Sequence, residues 1–328
     1  MSNVEVKICT VIDGTGKSSP PDGTIINNEN STRALSKKNR IYVLREFLHR
    51  MYPSITSHQN PKILDVAGGR GDLSWILKNI DGINSIIADR RVPNHKRLVK
   101  SVRFLLDNPA EAKIRAVEGL PTHQPLAKFL TRMIENCSIK RKRDNEESVN
   151  LTLSSPNYMR IHVDDALVNT IRNISLKKDL NDGDKNIWNE YWQKESDRVQ
   201  ANKVYYGGTL PKQRDEEKED MQQIKDPTEA LCVFQSLDLI VGFHPDQATE
   251  ATIDLALLLK IPFAVVPCCV FPSEFPNREY NGQRVRTHGQ LVEYLCTKHE
   301  RIRKEKLAFV ETETAKNVVL YMLEEDFK

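Results

Sequence analysis

The sequence predicts an α/β fold in which a seven-stranded, mostly parallel, doubly wound sheet carries helices on both faces and ends in an antiparallel hairpin. Three observations predict it. A short apolar strand at 63–66 passes through a glycine-rich turn directly into a helical pattern that reaches Ile80. Strand and helix patterns alternate again from 237 to 298. Two further strands with a short turn between them close the chain, and we expect the last of them to be antiparallel to the rest.

The remaining elements follow from apolar periodicity. An amphipathic pattern over 33–52 predicts a helix that packs beside the first strand. We expect further strands at 85–88, 159–163, 237–243, 263–267, 306–311 and 318–323. We expect further helices at 248–260 and 289–298, with helical patches at 98–106 and 126–134.

Composition indicates a soluble globular protein. Of the 328 residues, 39% are hydrophobic and 28% are charged, which suits one α/β domain with insertions. No apolar run is long enough to span a membrane, and the N-terminus lacks the pattern of a signal peptide. Six cysteines in such a chain do not indicate a disulfide framework. We therefore expect an intracellular protein, cytoplasmic or nuclear, without a membrane partner.

The chain divides into a flexible N-terminal segment, 1–32, and one domain, 33–328, with insertions at about 91–150 and 177–226. The first insertion contains the charged run 140–144, which is either a nucleic-acid or nuclear-localisation patch or a solvated loop. The aromatic residues of the second insertion either stack on bases or pack the insertion onto the core. They are Trp188, Tyr191, Trp192, Tyr205 and Tyr206.

The turn after the first strand indicates a site for a nucleoside-containing cofactor. Asp65 lies at the end of this strand, and the small residues that follow let the backbone approach a ligand closely. The helix that follows presents unpaired N–H groups there. Asp89 ends the second strand, where an acid can accept both hydroxyls of a ribose.

The run from Asp65 to Gly71 resembles the first motif of the class I S-adenosylmethionine-dependent methyltransferases, with Ala67 in place of the family's first glycine. A dinucleotide fingerprint would require a third glycine where Ser74 stands. The closing hairpin is likewise a feature of the methyltransferase fold that the dehydrogenase fold lacks. The resemblance covers about 33–323 and implies a Rossmann-like fold with S-adenosyl-L-methionine as cofactor. The implied cofactor-binding residues are Asp65, Ala67, Gly68, Gly69, Gly71 and Asp89. The family also places an acid against the adenine amino group, which is Asp164 or Asp165 here, and a helix N-cap is the alternative role of these residues.

The end of the fourth strand faces the methyl acceptor in this family. His244 is the candidate catalytic base, and Asp246 either holds its tautomer or binds the acceptor. The segments after strands four and five resemble, more weakly, those of the tRNA acceptor-stem 2′-O-methyltransferases, which have a histidine and a Cys-Cys-His segment there. This sequence departs from that pattern at Val270 and at Pro245-Asp246. The expected substrate pocket comprises Pro245, Pro267, Cys268 and Cys269.

The paired cysteines, Cys268 and Cys269, have three open roles: lining the acceptor pocket, packing as small hydrophobic groups, or covalent catalysis. We expect no metal site, because adjacent cysteines are poorly placed to ligate one zinc ion and no C-x-x-C pair exists.

The expected function is methyl transfer, with RNA as the favoured acceptor. A protein side chain is the alternative acceptor, and a non-catalytic cofactor-binding or interaction protein of the same fold is the alternative class. The net charge of +3 does not identify a polyanionic partner. Basic residues after the second strand either contact RNA phosphates or form a charged helix face. They are Arg90, Arg91, Lys96, Arg97, Lys100 and Arg103.

Overall fold

The structure is a computed structural model, and it describes residues 29–57, 60–108, 154–174, 181–205, 222–307 and 316–328. Several sequence predictions concern residues outside this set. They are the flexible segment up to residue 28, the helical patch at 126–134, the charged run at 140–144, Tyr206, the strand residues 308–311 and the turn at 312–315.

Eight strands form one mixed sheet in the order β4-β3-β2-β1-β5-β6-β10-β9. Six of them are parallel to one another, namely β1 (Lys62–Val66), β2 (Asn84–Ala88), β3 (Tyr158–Met159), β4 (Gln223–Ile224), β5 (Leu239–Phe243) and β6 (Phe263–Val266). The strand β10 (Val318–Met322) is antiparallel to both β6 and β9 (Arg303–Lys306). A separate small hairpin joins β7 (Glu279–Tyr280) to β8 (Gln283–Arg284).

The α/β class, the mostly parallel sheet and the antiparallel C-terminal hairpin are confirmed, but the strand number of seven is wrong. The eighth strand, β4, is two residues long and pairs with β3 at the edge of the sheet. Such a short strand has no apolar run for a sequence pattern to detect. The strand expected at 306–311 is found at Arg303–Lys306, where edge exposure permits four charged residues. The strand expected at 159–163 is found at Tyr158–Met159.

Nine helices accompany the sheet in the described ranges. They are α1 (Glu29–Met51), α2 (Pro53–Ser57), α3 (Asp72–Ile76), α4 (Lys96–Asp107), α5 (Asp165–Asn173), α6 (Asp182–Tyr205), α7 (Pro227–Phe234), α8 (Thr249–Leu259) and α9 (His288–Cys296). A π-helical turn, Leu77–Asp81, continues α3, and single 3₁₀ turns lie at Asp246–Ala248 and Glu324–Phe327. None of the described helices is both long enough and apolar enough to cross a membrane.

The sheet separates two hydrophobic cores because successive side chains of a strand point to opposite faces. On β1, Ile63 packs in the same core as Leu48 of α1. Its neighbour Leu64 packs in the other core, together with Leu167 of α5 and Leu255 of α8. This two-sided burial fixes the register of β1 and so the position of the turn that follows it.

The helix α6 is part of the domain core, because its aromatic residues pack inward. Trp188 is buried, and its ring centroid lies 5.8 Å from that of Phe234 on α7. Its Nε1 donates a hydrogen bond of 2.6 Å to the carbonyl oxygen of Pro227. Trp192 stacks beside it at 5.8 Å between centroids, and Nε1 of Trp192 donates to the carbonyl of Lys225. Of the two roles expected for this aromatic group, packing is the one that Trp188 and Trp192 adopt.

Candidate functional site

A cleft of about 630 Å³ opens at the carboxyl ends of the central strands. The strand β1 pairs with β2 on one side and β5 on the other, so the chain order reverses there, and ligands of open α/β sheets bind at such a reversal. The volume lies within the range of small-molecule and cofactor sites. Seven of the predicted cofactor-binding, catalytic and substrate-pocket residues line the cleft: Ala67, Asp89, Asp164, Asp165, His244, Pro245 and Asp246.

The glycine turn requires its glycines for reasons within the protein itself. A Cβ on Gly68 would lie 2.7 Å from Oδ2 of Asp65, and a Cβ on Gly71 would lie 2.5 Å from Cδ1 of Ile87. Gly71 also has a φ of 77°, and Ala67 has a left-handed φ of 52° although it is not glycine. The chain thus passes directly over Asp65 before α3 begins.

Asp65 is fully buried beneath this turn. Its Oδ2 accepts a hydrogen bond of 2.8 Å from Oγ of Ser74, which also lies 2.9 Å from Oγ of Ser85. Its Oδ1 has no hydrogen-bond partner among the described residues. Burial, aided by the charges of Asp89 and Asp72 and opposed by the hydrogen bonds from Ser74, raises the pKa of Asp65 to about 7.

Asp89 links the turn to the end of β2. Its Oδ2 accepts from the backbone N–H of Gly69 at 2.9 Å, and its Oδ1 accepts from the backbone N–H of Arg91 at 2.8 Å. The Arg91 guanidinium adds one bond to each oxygen, from Nε to Oδ1 and from Nη2 to Oδ2. All four acceptor positions of the carboxylate are therefore used, two of them by a side chain that is 64% exposed.

Asp164 caps α5. Its Oδ1 accepts from the backbone N–H groups of Ala166 and Leu167, and its Oδ2 pairs with Arg198 of α6 at 2.5 Å. Of the two aspartates, Asp164 therefore has the N-cap role that the sequence left open, and Asp165 is exposed at the cleft.

His244 directly follows the last residue of β5, and its backbone has a left-handed φ of 54°. Burial, together with the charge of Arg40 and against the opposing charge of Asp246, lowers the pKa of His244 to about 4. The imidazole is therefore neutral near pH 7, and its buried Nε2 has no hydrogen-bond partner among the described residues. It can accept a proton or a hydrogen bond, but as a weaker base than an ordinary histidine.

Asp246 interacts with the cysteine segment rather than with His244. Its Oδ1 accepts a hydrogen bond of 2.9 Å from Sγ of Cys268, and no hydrogen bond joins it to the His244 ring in the described residues. Burial, together with the hydrogen bond to Asp246, raises the pKa of the Cys268 thiol well above its usual range. A nucleophilic role needs the thiolate, so the structure gives no support to covalent catalysis by Cys268.

Cys269 lies half-buried beside Cys268, with its Sγ 3.8 Å from Nζ of Lys316. Its Sγ, Sγ of Cys268 and a carboxylate oxygen of Asp246 all lie within 4.8 Å of one another. This geometry differs from the expectation that adjacent cysteines are poorly placed to ligate one zinc ion.

Several cleft residues were not identified from the sequence. His162 lines the cleft, and its Nδ1 lies 2.6 Å from Oε1 of Glu195 on α6, while Arg198 of the same helix also lines the cleft. Glu250 of α8 lines the cleft and accepts a hydrogen bond of 2.6 Å from the buried Arg278. No local motif marks these residues, because each reaches the cleft through the packing of distant segments.

Comparison of the chain with protein-family models, with curated proteins and with solved structures gives no match.

Proposed function

We propose that the protein is a methyltransferase that uses S-adenosyl-L-methionine and favours RNA as the methyl acceptor. The observation that carries the proposal is the placement of Asp89: it is bonded to the turn at Gly69 and lines a cofactor-sized cleft where the strand order reverses. The glycine turn, the helix after it and the antiparallel closing hairpin support the same class through the resemblance described above.

The residues present fit the nucleoside part of this cofactor. Movement of the exposed Arg91 side chain into solvent uncovers one acceptor position on each oxygen of Asp89. Two acceptor positions on one carboxylate suit the two vicinal hydroxyls of a ribose. Asp89 would hold the ribose, while Ala67 and the turn allow close approach of the backbone.

The charge of the cleft fits a cationic ligand. The cleft is lined by six acidic residues but only three arginines. The acids are Asp89, Asp164, Asp165, Asp246, Glu250 and Glu274, and the arginines are Arg90, Arg91 and Arg198. The cofactor supplies an activated methyl group on a positively charged sulfur, and an excess of carboxylates favours positive charge there.

The residues of this chain contribute mainly by positioning and by excluding water. The neutral His244 can accept a hydrogen bond from the acceptor's nucleophilic group through Nε2. Basic residues of α4 that are exposed, Lys96, Arg97 and Lys100, supply positive charge outside the cleft, where a phosphate backbone can bind.

Calorimetric titration with S-adenosyl-L-methionine tests the cofactor assignment. We expect the wild-type protein to bind, and Asp89→Ala to weaken binding at least tenfold, which corresponds to about 1.4 kcal/mol. Arg91→Ala is the matched control, because it removes the competing guanidinium and leaves the carboxylate; binding should be retained or tightened. A folded wild-type protein that binds no cofactor would contradict the proposal.

Transfer of tritiated methyl groups into cell extract identifies the acceptor. Label that depends on Asp89 and is released by ribonuclease would support RNA as the substrate. Label that resists ribonuclease but is released by protease would assign the activity to proteins instead. Cofactor binding without any transfer would favour a non-catalytic binding protein.

A further inference from the structure

Two neighbouring strand ends bring one carboxylate and two thiols together. Asp246 follows β5, and Cys268 and Cys269 follow β6. These strands are parallel neighbours, so their carboxyl ends meet at the same edge of the sheet. In the described parts of the chain, no other group of three potential metal-ligating side chains is this close together.

The distances are close to those of a metal site. Zn–S bonds of about 2.3 Å at the tetrahedral angle place two sulfurs about 3.8 Å apart. A sulfur–sulfur separation of at most 4.8 Å therefore needs to contract by about 1 Å at most, whereas the 2.9 Å contact between Oδ1 of Asp246 and Sγ of Cys268 must lengthen.

The local backbone is held in an unusual conformation around these residues. Asp246 has a φ of 50°, and Phe271, two residues beyond Cys269, has a φ of 48°. Left-handed conformations of non-glycine residues are costly and concentrate at functional sites. Within this segment Oδ1 of Asp246 lies 2.9 Å from Sγ of Cys268.

We propose that Asp246, Cys268 and Cys269 bind one divalent zinc-class cation and leave its fourth coordination position open towards the cleft. Two thiolates and one carboxylate are a ligand set that suits Zn²⁺, and three protein ligands with one open position are typical of zinc sites that contact a substrate. Asp246 lines the cleft, so the open position would face the space where an acceptor binds.

Binding of the cation balances in protons and charge. On binding, Cys268 and Cys269 each release one thiol proton to solvent and form one metal–sulfur bond. The hydrogen bond from Cys268 to Asp246 is replaced by a metal–oxygen bond. Nζ of Lys316 now lies 3.8 Å from Sγ of Cys269. Because the cation would bind to the same sulfur, the ammonium group of Lys316 must move aside.

Titration with Co²⁺ under reducing conditions tests this site without reference to activity. We expect one equivalent to bind, with a thiolate-to-cobalt charge-transfer band whose intensity reports the number of cobalt–sulfur bonds. Zn²⁺ added afterwards should abolish the band. In Cys268→Ser and in Cys269→Ser the band should fall to about half, and in the double variant it should disappear. Asp246→Asn should keep the band but weaken binding at least tenfold.

The control is a variant in which the other four cysteines, Cys9, Cys137, Cys232 and Cys296, are replaced by serine. It should bind Co²⁺ as the wild type does. The absence of a band in the wild type, or a band that survives the Cys268→Ser/Cys269→Ser double substitution, would overturn the proposal. Cys268 is buried, so thermal unfolding must show that each variant is folded. If the Cys268→Ser variant does not fold, the Cys269→Ser variant still decides the outcome, because Cys269 is only half-buried. Cofactor calorimetry on the same samples keeps a failure of the metal site distinct from a failure of the proposed methyltransferase function.

Discussion

Gly68 and the carboxylate of Asp65 are in contact at the centre of the turn. A methyl group at Gly68 would lie 2.7 Å from Oδ2 and 2.8 Å from Cγ of Asp65. The carboxylate cannot retreat, because it is fully buried and bonded to Ser74.

We therefore expect Gly68→Ala to lower the free energy of unfolding by about 1–3 kcal/mol, as overpacking of a core does. Urea unfolding measures the change. Gly289→Ala is the control, because a methyl group there meets nothing within 4 Å. Equal stability of the Gly68→Ala protein and the wild type would show that the turn moves freely away from Asp65.

Asp65 makes stability depend on pH. Its pKa is about 7 in the folded protein against a usual value of 3.8, so between these values the native state holds a proton that the unfolded chain has lost. Stability then falls as pH rises from about 4 to 7, and the full effect is on the order of 4 kcal/mol.

In Asp65→Asn this dependence should be lost, because the amide does not titrate. The difference in unfolding free energy between the variant and the wild type, measured in urea at pH 5 and at pH 7.5, isolates the contribution of this one group. The variant should gain relative to the wild type at the higher pH. A difference that is the same at both pH values would mean that Asp65 ionises normally when buried.

At the scale of elements, α6 adopts one of the two roles that the sequence left open for its aromatic residues, which is packing onto the core. It was expected to be part of a polar insertion, since its sequence mixes charged and aromatic residues with few aliphatic ones. Trp188 nevertheless contacts Phe234 of α7, and Arg198 of the same helix reaches the cleft.

Substitution of Trp188 tests whether α6 is integral to the fold. We expect Trp188→Ala to cost about 3–5 kcal/mol, as for other buried aromatic residues. Ile187→Ala on the same helix removes a side chain that is 43% exposed, and should change stability by less than about 0.5 kcal/mol. If both variants unfolded at the same urea concentration, α6 would not be part of the cooperative unit.

The elements that sequence predicted well have strong local signals. The strands β5 and β6 are continuous apolar runs because both of their faces are buried, and β1 is apolar apart from Lys62 and Asp65. The turn from Ala67 to Gly71 was found because its conformation demands small residues. By contrast, the pairing of Asp89 with Arg91 and the meeting of Asp246 with Cys268 depend on geometry across strand ends, which no local pattern encodes.

At the scale of the whole molecule, positive charge lies outside the cleft and an excess of acid lies within it. Lys96, Arg97 and Lys100 are exposed on α4, which follows Arg90 and Arg91 at the cleft. A polyanion is thereby attracted to α4, while the acidic interior favours a cation.

If RNA binds across α4, its affinity should fall linearly with the logarithm of salt concentration. Replacement of Lys96, Arg97 and Lys100 by alanine should reduce the slope by about 2, since each phosphate contact to a single strand contributes about 0.7. Fluorescence anisotropy of a labelled RNA at several salt concentrations measures this slope. The charge-matched control replaces Lys185, Lys194 and Lys260 and should keep the wild-type slope; a slope unchanged in the α4 variant would remove α4 from the RNA surface.

The two borders of the sheet have a consequence for how the protein behaves at high concentration. At one border the strand β4 is only two residues long, and at the other β9 reads Arg-Lys-Glu-Lys, with Lys304 and Lys306 exposed. A short border strand offers too few free backbone groups to template another chain, and a lysine-rich one must bury charge to do so. An eight-stranded sheet with long apolar strands at its centre is thereby protected at both ends against edge-to-edge aggregation.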